Sequence, residues 1–278
     1  MSTVLLRGYD VNYIERNPRG SRLIVLLHGF GASTYSWLPV IEGLAEFGHV
    51  VAYDRPGFGQ TERPMRWAGT NPYSMAGQMQ LLDAIITHFG EEREVVLVGH
   101  SAGGQLAAHY LFNGAKNVSH LVLESPAILT AGPPRLVSVF LRLPIFRKLG
   151  PRLVGGFAKV GHKILFDSFY DKSKLTESVI HGYERPMDNP DWKEGFWEFL
   201  KADKHTDVAK RLGQITVPTF VITGQFDTIV KVEDSMRVAE RIPGHKIYLV
   251  PAAGHLSHEE QPQDFLRVVG NWLRKSAS

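Results

Sequence analysis

The feature that most constrains the fold of this 278-residue chain is a series of six short, largely apolar runs. They lie at residues 23–27, 50–53, 95–98, 121–123, 217–222 and 247–250. Strands that are covered on both faces read as continuous apolar runs, which is typical of parallel sheets. Helical patterns at 75–89 and 105–112 separate several of these runs. The alternation predicts a doubly wound α/β sheet.

Two segments depart from this alternation. Residues 4–14, around Gly8, predict an antiparallel hairpin at the edge of the sheet. Between residues 127 and 212 the strand signals vanish, and an interruption of roughly 80 residues is far too long for a simple loop. We therefore predict a core of residues 1–126 and 213–278. Residues 127–212 would form a helical cap above the carboxyl edge of the sheet, where ligands bind in open α/β folds.

Composition excludes several classes of function. The chain has no cysteine, so disulfides, thiolate chemistry and a cysteine-ligated metal are excluded. Its net charge of +3 is too small to indicate nucleic-acid binding. The first residues lack the pattern of a signal peptide, and no apolar stretch approaches the roughly 20 residues that span a bilayer. We expect a soluble, cytoplasmic protein that acts on a small molecule.

Residues 99–103 read Gly-His-Ser-Ala-Gly and fit the pattern Gly-x-Ser-x-Gly. A strand-like run precedes them and a helical pattern follows. A sharp turn from strand to helix holds one side chain out at the edge of the sheet, and only small residues fit on either side of it. This setting predicts that Ser101 is a nucleophile. On the pentapeptide alone, a glycine-rich turn with an incidental serine is the alternative.

A serine nucleophile needs a base, and the base needs an acid that orients it. His255 follows the run at 247–250, and Asp227 follows the run at 217–222. Both therefore fall at carboxyl ends of predicted strands. The order Ser101, Asp227, His255 is the one expected for a nucleophile elbow.

Each of these assignments has a competitor. His258 lies close to His255, in a polar stretch that reads as the start of a helix. Glu124 follows the run at 121–123 and is an alternative acid. Asp227 taken alone is also compatible with a turn or a helix cap. The agreement of three positions in order and placement favours Ser101, Asp227 and His255.

Acyl transfer also needs donors for the developing oxyanion. The backbone N–H of Ala102, directly after the nucleophile, is the first expected donor. The second is expected from the loop after an earlier strand. Residues 28–31 (His-Gly-Phe-Gly) follow the run at 23–27, and the N–H of Phe30 is the candidate there.

These motifs, together with residues 54–59 (DRPGFG) and Gly224, resemble the α/β-hydrolase superfamily, and within it the capped branch of serine esterases and lipases. The resemblance covers nearly the whole chain in the right order. It implies a mostly parallel sheet of eight strands, a cap inserted after strand six, and hydrolysis through an acyl-enzyme. No metal or organic cofactor is needed for this chemistry. In such relatives, the segment resembling 54–59 is a structural turn, so it is given no chemical role.

Other branches of the superfamily differ from this chain at identifiable positions. Epoxide hydrolases and haloalkane dehalogenases have Asp where Ser101 stands, and these activities are disfavoured. Dehalogenases typically have Trp, and many monoglyceride lipases Met, at the position of Ala102. Hydrolases of carbon–carbon bonds often have Trp at the position of Leu256. The resemblance therefore implies a carboxylic ester hydrolase. The alternatives left open are a hydrolase-like ligand receptor with slow turnover, a carbon–carbon bond hydrolase, and a lid-gated lipase that acts at interfaces.

The predicted cap begins with a basic segment. Residues 135–163 carry eight Lys, Arg or His residues and no Asp or Glu. They predict amphipathic helices broken at Pro144 and at Gly150-Pro151. One interpretation is a cap whose basic face is solvated, and another is a lid that makes transient contact with anionic lipid. A third is an apolar acyl pocket, and its candidate side chains are Leu136, Val139, Phe140, Ile145, Phe146 and Phe157. The later aromatic residues predict core packing and are Tyr183, Trp192, Phe196, Trp197 and Phe199.

Overall fold

The computed structural model describes residues 2–90, 92–113, 115, 117–130, 141, 143 and 146–275, without the side chains of 146–148, 153 and 157–159. The candidate acyl-pocket residues Leu136, Val139, Phe140 and Ile145, and the side chains of Phe146 and Phe157, lie outside this description. So does Pro144.

The core is one sheet of eight strands, as the resemblance implied. The strands are β1 (Ser2–Leu6), β2 (Tyr9–Arg16), β3 (Leu23–Leu27), β4 (His49–Tyr53), β5 (Val95–His100), β6 (Val118–Glu124), β7 (Thr219–Gly224) and β8 (Lys246–Val250). Their order in the sheet is β1-β2-β4-β3-β5-β6-β7-β8. β1 pairs with β2 and β2 with β4 antiparallel, and all other pairs are parallel. The predicted parallel sheet and edge hairpin are confirmed.

Helices cover both faces of the sheet, which explains why its central strands are apolar throughout. Every residue of β3, β4 and β5 is buried. Helices α1 (Leu38–Leu44) and α10 (Pro262–Lys275) pack on one face, and α2 (Met75–Gly90), α3 (Ala102–Leu111) and α8 (Val232–Glu240) on the other. Successive residues of one strand point to opposite layers: Ile24 and Leu26 belong to the first layer, and Val25 and Leu27 to the second.

Several predicted boundaries differ from the structure by two or three residues, among them the start of β6 at Val118. The helix expected to begin at residue 105 begins at Ala102, because the chain enters it directly from the turn at Ser101. The strand expected from residue 217 begins at Thr219, immediately after Pro218. Proline has no N–H to donate to a sheet ladder, so it is confined to strand ends and edges.

A helical insertion lies between β6 and β7, as predicted. Its described residues form α4 (Phe146–Ser168), α5 (Glu177–Glu184), α6 (Trp192–Lys201) and α7 (Val208–Arg211), and these ranges contain no strand. The expected break at Gly150-Pro151 was wrong, because α4 continues through both residues. Pro151 lies in the second turn, where it removes one hydrogen bond of the ladder. Gly150 lies against Trp197, since a Cβ there would be 2.0 Å from the indole ring.

The limits of the cap at residues 127 and 212 stay a prediction. No helix within the described ranges is both long enough and apolar enough to cross a membrane.

Candidate active site

Ser101 occupies a strained turn between β5 and α3. Its φ is 52° and its ψ is −117°, in a region that a residue with a Cβ rarely adopts. The glycines around it are required by close approach of backbone. A Cβ on Gly103 would lie 2.2 Å from the Leu27 carbonyl oxygen, and one on Gly99 would lie 2.6 Å from the Cα of Gly104. The turn thus fits only small residues, as its sequence pattern predicted.

His255 lies on the loop between β8 and the short helix α9 (Ser257–Glu260). Its Nδ1 is 2.8 Å from Oδ2 of Asp227, which follows β7. The other carboxylate oxygen of Asp227 accepts hydrogen bonds from the N–H groups of Ile229 and Val230, at 2.9 and 3.0 Å. An ionised carboxylate only accepts hydrogen bonds, so Nδ1 of His255 carries the proton and Nε2 is the free, basic nitrogen.

Asp227 therefore forms both the turn that its sequence suggested and a hydrogen bond with His255. The pair is sealed from solvent, since the two side chains are 6% and 0% exposed. The backbone N–H of His255 donates to the Ser168 carbonyl at the end of α4, at 2.7 Å. The position of the imidazole is thereby tied to the cap as well as to the core.

The loop that carries Phe30 passes directly beside Ser101. A Cβ on Gly29 would lie 3.3 Å from the Cβ of Ser101. The Gly29 carbonyl accepts hydrogen bonds from Arg55 Nη2 at 3.0 Å and from Nδ1–H of His28 at 2.7 Å. Burial holds the pKa of His28 well below its ordinary value, so the ring is neutral. In a trans peptide the N–H points away from the C=O. The Phe30 N–H therefore points to the side opposite Arg55.

Ala102 begins α3, where the first backbone N–H groups have no partner within the helix. Its N–H and that of Phe30 belong to two backbone segments that meet at Ser101. These are the two donors that the sequence predicted for an oxyanion.

Glu124, the competing acid, is bonded to His258, the competing base. Its carboxylate accepts from Nδ1 of His258 at 2.8 Å, from the backbone N–H of His258 at 3.0 Å and from the Ser257 hydroxyl at 2.6 Å. Both side chains are fully buried. Burial favours the neutral form of each, but their mutual attraction outweighs it: the pKa of Glu124 is lowered and the pKa of His258 is raised. No local sequence pattern indicates that these two residues are partners.

His100 lies between the two histidine–carboxylate pairs. Its ring centroid is 4.6 Å from that of His255 and 5.3 Å from that of His258. Burial keeps its pKa well below the ordinary value. The neutral ring donates through Nε2–H to the His255 carbonyl at 3.1 Å. His100 occupies a variable position of the serine motif, so no sequence pattern predicts this contact.

Ser101 and His255 open into one cavity of about 320 Å³ between the core and the cap. Most of the surrounding side chains are apolar and come from both parts, including Phe30, Phe58, Ile164, Leu165, Met187 and Leu256. Trp197 and Phe199 are buried in packing, as expected. Tyr183, Trp192 and Phe196 line the cavity instead, which the sequence pattern did not indicate. Helical spacing alone does not distinguish a buried face from one that borders a cavity.

Known proteins resemble this chain over most of its length. A family model described as alpha/beta hydrolase fold matches residues 22–262. The uncharacterized hydrolase YugF of Bacillus subtilis (strain 168) is 29% identical over 269 residues, which are 96% of this chain and 95% of that protein. The 2-hydroxy-6-oxononadienedioate/2-hydroxy-6-oxononatrienedioate hydrolase of Cupriavidus pinatubonensis is 29% identical over 266 residues, which are 91% of this chain and 87% of that protein.

Among solved structures, the enol-lactonase from Burkholderia xenovorans LB400 superposes with a TM-score of 0.79 and 20% sequence identity. The superposition covers 98% of this chain and 100% of that chain, and it shows that the fold is shared. Because the family model covers most of the sequence and the relatives align nearly from end to end, this chain belongs to the alpha/beta hydrolase fold family and is a hydrolase.

Proposed function

We propose that this hydrolase cleaves carboxylic esters through an acyl-enzyme on Ser101. The observation that carries the proposal is the backbone of Ser101, which has a positive φ and borders the same cavity as His255. Strained backbone of this kind persists only where the surrounding structure enforces it, and it clusters at functional sites. A nucleophile on a sharp strand-to-helix turn stands clear of the sheet and within reach of a substrate.

In the first half-reaction, His255 Nε2 takes the hydroxyl proton of Ser101 while Oγ attacks the ester carbonyl carbon. Asp227 keeps the second ring nitrogen protonated and stabilises the imidazolium that forms. The N–H groups of Phe30 and Ala102 bind the oxyanion of the tetrahedral intermediate. When the intermediate collapses, the bond to the alkoxy oxygen breaks. The imidazolium protonates that oxygen, and the alcohol leaves with the acyl group still on Ser101.

In the second half-reaction, water attacks the acyl carbon. His255 removes one proton of the water as its oxygen bonds to carbon. A second tetrahedral intermediate forms and uses the same two donors. Its collapse breaks the bond to Oγ, and the imidazolium returns the proton to Ser101. The products are a carboxylic acid and the regenerated enzyme, so no redox cofactor takes part.

The apolar character of the cavity supports an ester with an apolar acyl or alcohol moiety. Arg63 is the only permanently cationic side chain among the described residues that line the cavity. Its two terminal nitrogens already donate to the carbonyls of Gly59 and Thr61, at 2.7 and 2.8 Å. A dioate, the substrate class in the name of the Cupriavidus relative, carries carboxylates that need such a cation. An uncharged ester needs none.

Hydrolysis of a carbon–carbon bond is the second candidate. It is favoured by the 29% identity to the Cupriavidus hydrolase over most of both chains. Leu256, rather than Trp, follows His255 and disfavours it. Parallel assays of an aromatic ring-cleavage product and of simple esters distinguish the two activities.

The direct test combines a fluorophosphonate probe with a series of para-nitrophenyl esters of increasing acyl length. We expect one site per chain to be labelled, multiple turnovers, and a preference for medium over acetyl chains. Ser101→Ala is expected to lose labelling and to lower kcat by several orders of magnitude with an unchanged circular-dichroism spectrum. Turnover retained by this variant would overturn the assignment of the nucleophile. Stoichiometric labelling without turnover would favour the ligand receptor.

A further inference from the structure

The cavity has a second polar feature on the side of the cap. His162 on α4 and Glu184 at the end of α5 both line it, and His162 Nε2 is 2.7 Å from Glu184 Oε1. Their side chains are 53% and 37% exposed. The pair therefore borders the open space above Ser101 and is not sealed in the packing of the cap.

Most of the other ionisable side chains of the described lining already make hydrogen bonds, and the unpaired nitrogens among them, Arg63 Nε and His100 Nδ1, are buried. Arg63 and Ser168 donate to backbone carbonyls nearby. Tyr183 donates to a buried carboxylate, and His100 donates to the carbonyl of the His255 loop. Apart from the proposed reactive residues, the exposed ionisable groups of the described lining are His162 and Glu184. Within the described part of the chain each of the two is bonded to the other, so Glu184 Oε2 and His162 Nδ1 have hydrogen-bonding capacity to spare.

Space for a ligand group lies next to this pair. Gly161 also lines the cavity, and a Cβ placed on it would meet no atom within 4 Å. A substrate chain can extend from Ser101 toward the cap into this open volume. Glu184 Oε2 and His162 Nδ1 lie at the border of that volume. A methyl end there leaves both groups unbonded.

We propose that His162 and Glu184 recognise a hydroxyl group at the far end of an otherwise apolar ester. This inference rests on the proposed esterase function and names its substrate class. A hydroxyl donates to the free carboxylate oxygen of Glu184, while Nε2–H of His162 donates to the other oxygen and holds the carboxylate in place. A terminal carboxylate is disfavoured, because Glu184 repels it.

The test compares kcat/KM for esters that differ only in their end group. Para-nitrophenyl hexanoate is measured beside the same ester with a terminal hydroxyl, a terminal carboxylate or a terminal ammonium. A second series carries the hydroxyl on the alcohol half instead. We expect the wild type to prefer the hydroxyl over the methyl end by about fivefold in at least one series, the equivalent of one hydrogen bond.

Three variants locate this preference. Glu184→Leu and His162→Ala are each expected to abolish the hydroxyl preference and to keep the activity on the methyl-ended ester, which shows that the site is folded. Glu184→Gln keeps an acceptor and is expected to retain part of the preference. Lys163→Ala is the matched control, since Lys163 pairs with Asp167 on the exposed side of the same helix and is outside the cavity lining.

The results separate this inference from the proposed function. If no ester is turned over, the esterase proposal itself fails. If esters are turned over but the wild type does not distinguish a hydroxyl from a methyl end, only the hydroxyl site is overturned. It is equally overturned if the preference survives Glu184→Leu, or if the ammonium ester is preferred over the hydroxyl ester, because the pair would then act as an anionic site.

Discussion

Two histidine–carboxylate pairs lie side by side in this protein with nearly the same geometry. Asp227 and His255 are 2.8 Å apart, and so are Glu124 and His258. The first pair belongs to the cavity that contains Ser101, whereas His258 and Glu124 are fully buried and outside its lining. Pairing with a carboxylate is therefore common to both histidines. We propose that access of the His255 ring to the cavity distinguishes the catalytic base from His258.

The pair of Glu124 and His258 connects a strand of the core to the loop that carries His255. Glu124 is the last residue of β6. Its carboxylate accepts hydrogen bonds from the Ser257 hydroxyl, the backbone N–H of His258 and the His258 ring. These groups begin the helix that follows His255. Through them the end of a central strand fixes the segment that presents His255 to the cavity. We expect the first pair to control rate and the second to control stability.

The largest expected effect is that of Asp227→Asn. Asparagine keeps the size of the side chain but cannot hold a protonated Nδ1 in the same way, and the analogous change in a Ser-His-Asp protease lowers kcat about 10⁴-fold. We expect a loss of that order in kcat, measured with a para-nitrophenyl ester. The midpoint of urea unfolding should change little. A loss below tenfold would mean that Asp227 is not the orienting acid.

The opposite outcome is expected for His258→Leu. It leaves Glu124 charged and unpaired in the interior, and breaking a buried pair in this way costs about 3 kcal/mol or more. Urea unfolding at neutral pH measures that loss, and probe titration gives kcat per folded molecule, which should stay within about tenfold of the wild type.

The double variant Glu124→Leu/His258→Leu is the control, since removing both charges should recover much of the stability. If His258→Leu instead abolished turnover without destabilising the protein, the distinction between the two pairs would fail.

A smaller effect is expected in the pH dependence of stability. The pKa of Glu124 is lowered on folding, so its contribution is present above the ordinary value of 4.5 and is lost as the pH falls through the lowered value. The pKa of His258 is raised, so its contribution is present below 6.5 and is lost as the pH rises through the raised value. The pair should therefore stabilise most between these two ordinary values.

The measurement is the free energy of unfolding of the wild type minus that of the double variant, followed over pH. We expect this difference to be largest between the two ordinary values and to fall toward pH 9, as the raised pKa of His258 is passed. A difference that is flat with pH would show that the buried pair is not ionised.

The smallest effect is expected at two glycines of α4 in the cap. They differ, like the two histidine–carboxylate pairs, in whether they line the cavity. Gly161 lines the cavity, and Gly155 is outside that lining; a Cβ at either would meet nothing within 4 Å. Either change to alanine should stabilise the helix by about 0.5–1 kcal/mol. Gly161→Val is expected to raise KM for esters with long acyl chains by a few fold. Gly155→Val is expected to leave KM unchanged. Equal effects of the two valine variants on KM would place the substrate elsewhere.

Much of the fold could be predicted from the sequence because its signals are local. The continuous apolar runs of β3, β4 and β5 indicate strands that are covered on both faces. The glycines at 99 and 103 indicate a turn that fits only small residues. The predicted break of the cap helix was wrong at a position where a long-range contact is made. α4 continues through Gly150-Pro151, where the glycine lies against the ring of Trp197 some 47 positions further along the chain, and no local pattern contains that contact.

The sequence by itself determined the class of fold, the family, and the order in which Ser101, Asp227 and His255 reach one edge of the sheet. Periodicity and turn chemistry suffice for the class of fold and for this order, because they depend on neighbours in the chain, and the family was indicated by the resemblance of the motifs. Only the tertiary structure decided that His255 pairs with Asp227 and His258 with Glu124, and that Tyr183, Trp192 and Phe196 border a cavity. Ion pairing and burial depend on distances between segments that are remote in sequence, so they are settled only when the chain packs.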